Sequence, residues 1–213
     1  MCAMQSNSVD FINDFSRQFL QVIMEAYDYE TSKVKDVTSD KLNRKILRCL
    51  RKNDLEFDEL WVCNRDHREG NFDEKCREYG YSPDGAFDIG LLGYFIGKNT
   101  ILKEFAFWGP IFQDEDIDDI KPLFKGVNHN RSIQKLFLEY CSVEEICHSL
   151  SLFFENNHNL SEIVLEQCVL GAGCIHQLSL AIGSCNSLKC IKVENIAVHA
   201  MGDDRVAAGI IIS

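Results

Sequence analysis

The sequence has few basic residues and no long apolar run. Lysine and arginine total 22 against 33 aspartates and glutamates, which leaves a net charge of -11. Because nucleic acids and anionic membranes attract clustered positive charge, we expect neither as a partner. No stretch approaches the roughly 20 apolar residues that span a bilayer. The opening MCAMQSNSVDF lacks the basic region and apolar core of a secretory signal, so we expect a cytoplasmic location, with the nucleus as the alternative.

Motifs for catalysis and cofactor binding are also absent from the sequence. It contains no G-x-x-x-x-G-K-[ST], G-x-G-x-x-G or H-E-x-x-H, and no two of its ten cysteines form a C-x-x-C pair. Cys147 with His148 and Cys174 with His176 could be drawn as a zinc site, but each histidine follows its cysteine at a different spacing. Repeated cysteines without matched partner ligands favour packing over metal binding. We predict no enzymatic activity, no cofactor and no metal site.

One apolar pattern does occur twice, 27 residues apart, with apolar residues at offsets 0, 3, 5, 8 and 10 from its first position. The copies comprise Ile133, Leu136, Leu138, Cys141 and Val143, and then Leu160, Ile163, Leu165, Cys168 and Leu170. Offsets 3 and 5 lie on one face of a short strand, and a helical pattern follows each copy. Because a single unit cannot bury its apolar side, we predict that the copies stack, with Cys141 beside Cys168.

This pattern resembles the leucine-rich repeat signature, L-x-x-L-x-L-x-x-N/C-x-L, with cysteine in the Asn/Cys position. The alternation of strand and helix at this period is similar to the ribonuclease-inhibitor-like subfamily. The resemblance implies an α/β fold in the form of a right-handed curved solenoid, or horseshoe. Parallel strands would line its concave side and helices its convex side. The alternative is one βαβ pair in an ordinary α/β domain.

Weaker copies of the pattern begin at Phe57, Leu102 and Leu188, so we predict a solenoid of about five turns over residues 55–213. The step from Phe57 to Leu102 is much longer than one repeat, which indicates an insertion near 64–84. Such insertions emerge as surface loops, and a binding role for this one is the alternative.

The segments between the predicted strands contain further signals. Three asparagines, Asn99, Asn130 and Asn157, each precede a first position by three residues, which suits a helix-to-strand turn that tolerates a left-handed backbone. A helix is predicted over Ala86–Lys98, with Phe87 among its inward-facing residues. The acidic run of residues 114–119 is interpreted as a helix start, since it lacks the glycine and distal glutamate of a calcium-binding loop.

Residues 1–54 are predicted to form a helical N-terminal cap over the first turn. Its amphipathic helices are expected over Asp10–Tyr27 and Ser39–Lys52, the second capped by Ser39 or Asp40. A docking helix for a separate protein is the alternative. At the other end, the predicted helix Asp203–Ile212 finishes in the apolar residues RVAAGIIIS with no polar cap. We therefore expect the repeat array to be truncated there, with self-association through the open end as the alternative.

Residues at offsets 2, 4 and 6 alternate with the core positions and should face away from the helices. This places both tryptophans and several glutamates on one surface. The predicted partner-binding residues are Trp61, Glu104, Trp108, Lys135, Phe137, Glu139, Tyr140, Glu162, Glu166, Lys192 and Glu194. Their expected neighbours at the same offsets are Glu59, Cys63, Ala106, Val164 and Cys190.

Aromatic side chains beside carboxylates are typical of protein interfaces and favour basic partners. We therefore interpret the chain as a non-catalytic protein–protein interaction module with a basic protein partner. The resemblance also implies narrower roles: sequestration of a basic enzyme, or regulation of a small GTPase as by Ran-type activators. A substrate receptor of a ubiquitin ligase is a further alternative.

Overall fold

A parallel sheet forms the centre of the computed structural model, which describes residues 38–64, 74–109 and 120–199. Within these ranges six strands pair in the order β2-β1-β3-β4-β5-β7. They are β1 (Glu59–Val62), β2 (Gly80–Tyr81), β3 (Glu104–Trp108), β4 (Lys135–Glu139), β5 (Glu162–Glu166) and β7 (Cys190–Glu194). A second parallel pair joins β6 (Val169–Gly171) to β8 (Ala197–His199). The chain is therefore an α/β protein with parallel pairing.

The strands form where apolar residues alternate with polar ones. Leu136 and Leu138 of β4 are fully buried, and they lie beside Ile163 and Leu165 of β5 in the pairing register. Each strand places its offset-3 and offset-5 residues on one face, so equivalent residues of neighbouring strands form continuous apolar rows. In β7, the last strand of this sheet, the equivalent Ile191 is 46% exposed.

Helices pack against that apolar face as a second layer. They are α1 (Lys41–Lys52), α3 (Ala86–Lys98), α4 (Lys121–His129), α5 (Val143–Asn156) and α6 (Ala172–Ser184), while the short helix α2 (Glu74–Tyr79) packs beside β1 and β2 at the edge of the sheet. From α3 to α6 each helix packs against the next in chain order. Phe124 of α4 contacts the rings of Phe105 and Phe107 edge-on, at centroid distances of 6.3 and 5.2 Å. Aromatic contacts of this geometry join the two layers.

Helices α3 and α4 approach each other closely at two glycines. A Cβ atom added to Gly126 of α4 would overlap the backbone of Gly93 in α3. The absence of a side chain at both positions therefore allows α3 and α4 to pack with their backbones in contact.

The predicted stacking of the repeat cysteines is confirmed. Cys141 and Cys168 are both buried, and their sulfur atoms lie 3.9 Å apart. The sulfur of Cys168 lies 3.3 Å from the carbonyl oxygens of both Leu138 and Glu166, so its single S–H can donate to either. These reduced thiols fill core positions and provide partners for backbone groups where the strands end.

The three repeated asparagines lie in helix-to-strand turns, as predicted, but their backbone is not left-handed. Their φ angles are -72° at Asn99, -71° at Asn130 and -97° at Asn157. The described residues other than glycine with a left-handed backbone are Asn53 at the end of α1, and Tyr140, Gln167 and Asn195 at the ends of strands, all with φ near 50°.

Each asparagine instead ends a helix and connects neighbouring turns through its buried side chain. Asn99 Nδ2 donates to Leu50 O, and Asn157 Nδ2 donates to Ile133 O. Asn130 Nδ2 donates to both Ile96 O and Asn99 O, and all these distances are 2.7–2.9 Å. The Oδ1 atom of each accepts from backbone amides that follow it. Asparagine has both donor and acceptor groups, so it can satisfy two turns at once.

The region 74–84 differs from the predicted surface loop. Cys76 and Tyr81 are fully buried, and β2 extends the sheet beyond β1. The hydroxyl of Tyr81 donates to the buried carboxylate of Asp88 in α3. Within α3 the inward orientation predicted for Phe87 is wrong, because that side chain is 38% exposed.

Helix α1 begins near the predicted residue, with Asp40 as its N-cap: Asp40 Oδ1 accepts from the amide of Asn43 at 2.9 Å. The predictions for Asp10–Tyr27, for residues 114–119 and for Asp203–Ile212 lie outside the described residues. The boundary between cap and solenoid at residue 54 stays a prediction. No helix in the described ranges is long and apolar enough to cross a membrane.

Candidate functional site

The side of the sheet opposite the buried apolar rows has three rows of side chains, which we call the aromatic–acidic face. Parallel pairing places equivalent residues of adjacent strands side by side, about 4.8 Å apart. The first row comprises Glu59, Glu104, Lys135, Glu162 and Cys190. The second comprises Trp61, Ala106, Phe137, Val164 and Lys192, and the third Trp108, Glu139, Glu166 and Glu194.

The structure brings the eleven predicted partner-binding residues together on or beside this face, and each is half-buried or exposed. Tyr140 follows β4 directly and is 45% exposed. Two expected neighbours are not accessible, since Cys63 is fully buried and Ala106 is 4% exposed. The alternation of side chains along the strands therefore predicts the members of the face with two exceptions. Ala106 is too small to reach the surface between its larger neighbours, and Cys63 follows the last residue of β1.

Ion pairs connect the residues of the first row. Lys135 Nζ donates to Glu104 Oε1 at 2.7 Å, and Lys192 Nζ donates to Glu162 Oε1 at 2.6 Å. The hydrogen bond to Glu104 raises the pKa of Lys135, and the hydrogen bond from Lys192 lowers the pKa of Glu162. Because these pairs are solvent-exposed, they orient side chains more than they stabilise the fold.

Lys75 of α2 is a member of the face that the sequence did not reveal. Its Nζ atom lies 2.5 Å from Glu59 Oε1 and 3.7 Å from Glu104 Oε2. The same atom lies 5.7 Å from the centre of the Trp61 ring, within the range of a cation–π interaction. The indole nitrogen of Trp61 also donates to Glu59 Oε1, at 2.6 Å. Lys75 belongs to the insertion without repeat spacing, so no periodic signal could place it here.

Two aromatic pairs lie on the face. The rings of Trp61 and Phe137 have centroids 5.6 Å apart. The rings of Trp108 and Tyr140 have centroids 6.2 Å apart and stand nearly perpendicular, at 85°. Of this second pair Tyr140 is exposed and Trp108 is half-buried, and amphipathic side chains of this kind anchor protein interfaces.

Tyr140 has this position because of an unusual backbone conformation. Its φ of 52° is uncommon for a bulky residue, and its amide donates to Glu166 O at 3.1 Å, across to the next strand. The equivalent position after β3 is Gly109, where a Cβ atom would overlap the carbonyl oxygen of Tyr140. The glycine thus leaves room for the Tyr140 backbone beside Trp108. A left-handed tyrosine costs about 1–2 kcal/mol relative to a right-handed one.

The third row carries the negative charge of the face. Glu139, Glu166 and Glu194 are adjacent in the register of β4, β5 and β7. Over the described ranges, neither Glu166 nor Glu194 forms an ion pair with lysine or arginine. Counted over the described residues and with Lys75 included, the face has six carboxylates and three ammonium groups, and the three ammonium groups pair with carboxylates of the first row.

The chemistry available on this face is recognition of a surface by aromatic stacking and negative charge. Among residues 38–64, 74–109 and 120–199, no group of three or more His, Cys, Asp and Glu residues is arranged to hold a metal ion. No protein-family model matches the chain, and no curated protein matches it. The function must therefore be inferred from the geometry of the aromatic–acidic face itself.

Proposed function

We propose that the chain is a leucine-rich repeat module of the ribonuclease-inhibitor-like type that binds a basic protein partner on its aromatic–acidic face, with no catalytic step. The strand–helix alternation supports the repeat, as does the stacking of Cys141 on Cys168. The buried asparagines support it further, because the side-chain amide of each donates to a backbone carbonyl of the preceding turn. A curved solenoid would present the sheet face on its concave side.

The observation that carries the binding role is the third row of the face. Trp108 is followed in strand order by three glutamates, and Tyr140 stands beside it with 45% of its surface exposed. Large aromatic side chains with a polar group lose little conformational entropy on binding and bury much area, so they anchor interfaces. Carboxylates next to such anchors attract lysine and arginine and raise the association rate.

The negative charge makes a basic partner the best fit. Ion pairs with lysine already engage the carboxylates of Glu59, Glu104 and Glu162 in the first row. Glu166 and Glu194 have no such pair in the described part of the chain. A partner with lysine or arginine at its contact surface would pair with Glu166 and Glu194 in the same way that lysines of the chain pair with the first row.

Charge reversal of the third row tests this proposal. The tagged chain first captures candidates from a native extract, and the most enriched protein is then purified and titrated against wild type and the variant E139K/E166K/E194K. We expect the variant to bind the partner at least roughly tenfold more weakly than wild type at physiological salt. Charge reversal removes both the attraction between the two surfaces and the charge pairing that aligns them. E166K/E194K is a second variant that leaves β4 unchanged.

The matched control is E56K/E145K/E155K, which makes the same change of charge at exposed glutamates outside the face. We expect this control to bind like wild type. Equal binding by the wild type, the face variant and the control, with circular dichroism showing all three folded, would exclude the aromatic–acidic face as the binding surface.

A further inference from the structure

One helix of this acidic protein is strongly basic. Helix α1 contains six lysines and arginines and no aspartate or glutamate, while the whole chain has a net charge of -11. Helix α5, by contrast, contains three glutamates and no lysine or arginine. Four basic residues of α1 lie at i, i+4, i+7 and i+11, and all four are exposed. We call them the basic stripe: Lys41, Lys45, Arg48 and Lys52.

The geometry of an α-helix aligns these four side chains. With 3.6 residues per turn, their positions fall within a sector of about 60° around the helix axis. The buried side chains of Ile46, Leu47 and Leu50 lie in the opposite sector, and α1 packs against α3 and β2. The stripe therefore faces away from the rest of the described fold, and its length along the axis is about 16 Å.

The stability of the helix does not explain this pattern. Like charges at i and i+4 repel each other, whereas solvent-facing helices commonly place opposite charges at this spacing. Lys41 also lies in the first turn, where the helix dipole disfavours a cation. Over residues 38–64, 74–109 and 120–199, no member of the stripe forms an ion pair. An anionic partner would remove this repulsion.

The turn that ends α1 exposes an apolar side chain directly beyond the stripe. Leu55 is 79% exposed, more than any other large hydrophobic residue in the described ranges. The amide of Phe57 donates to Asp54 O at 3.1 Å, and the amide of Glu56 donates to Asp54 Oδ1 at 3.2 Å. The amide of Asp54 donates to Cys49 O at 3.0 Å, which joins the turn to the helix. These hydrogen bonds hold Leu55 at the tip of an ordered turn.

We propose that the basic stripe and Leu55 form a second docking surface, which binds an acidic segment of another protein. Carboxylates of that segment pair with the stripe, and one of its apolar side chains covers Leu55. A partner helix with glutamates at i, i+4, i+7 and i+11 has the same charge spacing as the stripe. This inference goes beyond the proposed function, because the surface lies in the helix layer and selects the opposite charge. The chain would then connect a basic partner to an acidic one.

The surroundings of Leu55 favour a protein segment over other polyanions. Leu55 lies between Asp54 and Glu56, and both carboxylates are exposed. A nucleic acid or an anionic bilayer extends beyond the stripe, so its negative charge would be repelled there. A short protein segment can end its acidic run at Lys52 and place an apolar side chain on Leu55.

Nuclear magnetic resonance spectra of the isotope-labelled full chain test the proposal through its backbone amide signals. The probe is a blocked, alanine-rich helical peptide with glutamates at i, i+4, i+7 and i+11 and a leucine at each end. The control peptide has glutamine in place of each glutamate. We expect the acidic peptide to shift the amide signals of α1 and Leu55 in a saturable manner and to leave those of β4, β5 and β7 in place. The control peptide should shift neither set.

The stripe variant is K41Q/K45Q/R48Q/K52Q. Glutamine forms helices nearly as well as lysine and arginine, and its introduction relieves the repulsion, so this variant should be at least as stable as wild type. We expect it to bind the acidic peptide at least roughly tenfold more weakly at physiological salt. Circular dichroism confirms that it is folded.

Two further variants separate the stripe from the total charge of the chain. The variant L55S should weaken peptide binding about fivefold, because an apolar contact is lost while the stripe is unchanged. The matched control removes the same charge at exposed lysines outside the stripe and should bind like wild type. It is K103Q/K121Q/K125Q/K189Q.

The competing polyanions are a DNA duplex and vesicles of phosphatidylcholine and phosphatidylserine in equal parts. If either binds α1 at least as tightly as the acidic peptide does, the proposal is overturned in favour of a nucleic acid or a membrane. Equal peptide binding by wild type and the stripe variant also overturns it, as does an equal loss in the matched control. The stripe variant should bind the basic partner of the aromatic–acidic face as wild type does, so failure of either surface leaves the other standing.

Discussion

The substitution Asn130→Ala tests whether the buried asparagines hold neighbouring turns together. The Asn130 side chain is fully buried and donates to Ile96 O at 2.7 Å and Asn99 O at 2.9 Å. Its Oδ1 atom accepts from the amides of Ser132 and Ile133 at 2.8 and 2.9 Å. Alanine removes these four hydrogen bonds to backbone groups, and also the one that Oδ1 accepts from the Ser132 hydroxyl at 3.1 Å, and offers none in return.

The expected loss follows from the burial of these partners. A buried donor or acceptor that loses its partner costs about 1–3 kcal/mol. Some of the four groups will find water or another backbone partner, so we expect the free energy of unfolding to fall by about 3–5 kcal/mol in total. That is a large part of the 5–15 kcal/mol typical of a folded domain. Asn130→Asp should be at least as harmful, because it directs a carboxylate at two carbonyl oxygens.

Chemical denaturation followed by circular dichroism measures this change. The control is Asn156→Ala at an exposed position in α5, where the side chain donates only to Leu152 O within the same helix. We expect the control to stay within about 0.5 kcal/mol of wild type. A loss below about 1 kcal/mol for Asn130→Ala would refute the reasoning, because the asparagine would then be replaceable by water.

Two further predictions concern the core. Gly126→Ala should lower the free energy of unfolding by about 2–4 kcal/mol or prevent folding, since its Cβ would overlap the backbone of α3. The control is Gly183→Ala in α6, where nothing lies within 4 Å of the added Cβ. In the same denaturation assay this control should be neutral or stabilise the fold by about 0.5–1 kcal/mol. Burial raises the pKa of Asp88 from 3.8 to about 7. The folded state therefore keeps a proton that the unfolded chain loses, so stability should fall as pH rises from about 4 to about 7, by up to about 4 kcal/mol, and then level off. Asp88→Asn should flatten this pH dependence of stability, while the exposed control Asp54→Asn should keep it. An identical pH profile of unfolding in wild type and Asp88→Asn would contradict the assignment of the pH dependence to Asp88.

Residues one repeat apart were predictable from the sequence. The spacing of 27 places Leu136 beside Ile163 and Cys141 beside Cys168, and the register of β4 and β5 agrees with both. The members of the aromatic–acidic face follow from the same spacing, because side chains alternate along a strand. Local chemistry also predicted the start of α1, where Asp40 caps the helix.

Contacts made by segments without a repeat were not predictable in this way. Lys75 lies on Trp61, and Tyr81 pairs with Asp88, because the chain between 64 and 86 adds α2 and β2 at the edge of the sheet. The pattern likewise located Asn130 but not its role. A preference for left-handed turns is a weak local tendency, and the need to satisfy buried carbonyl groups outweighs it.

Spacing along the chain therefore determines which residues of β1, β3, β4, β5 and β7 share a face and which stand side by side. It does not predict β2, the burial of Ala106 or the exposure of Ile191. How the buried polar groups are satisfied, and which charges the aromatic–acidic face keeps, depends on the folded protein. Those properties depend on groups that lie far apart in sequence, and a periodic pattern holds no information about them. The accessible row from Trp108 to Glu194 depends on both, since spacing aligns its side chains and folding determines which of them already have a partner.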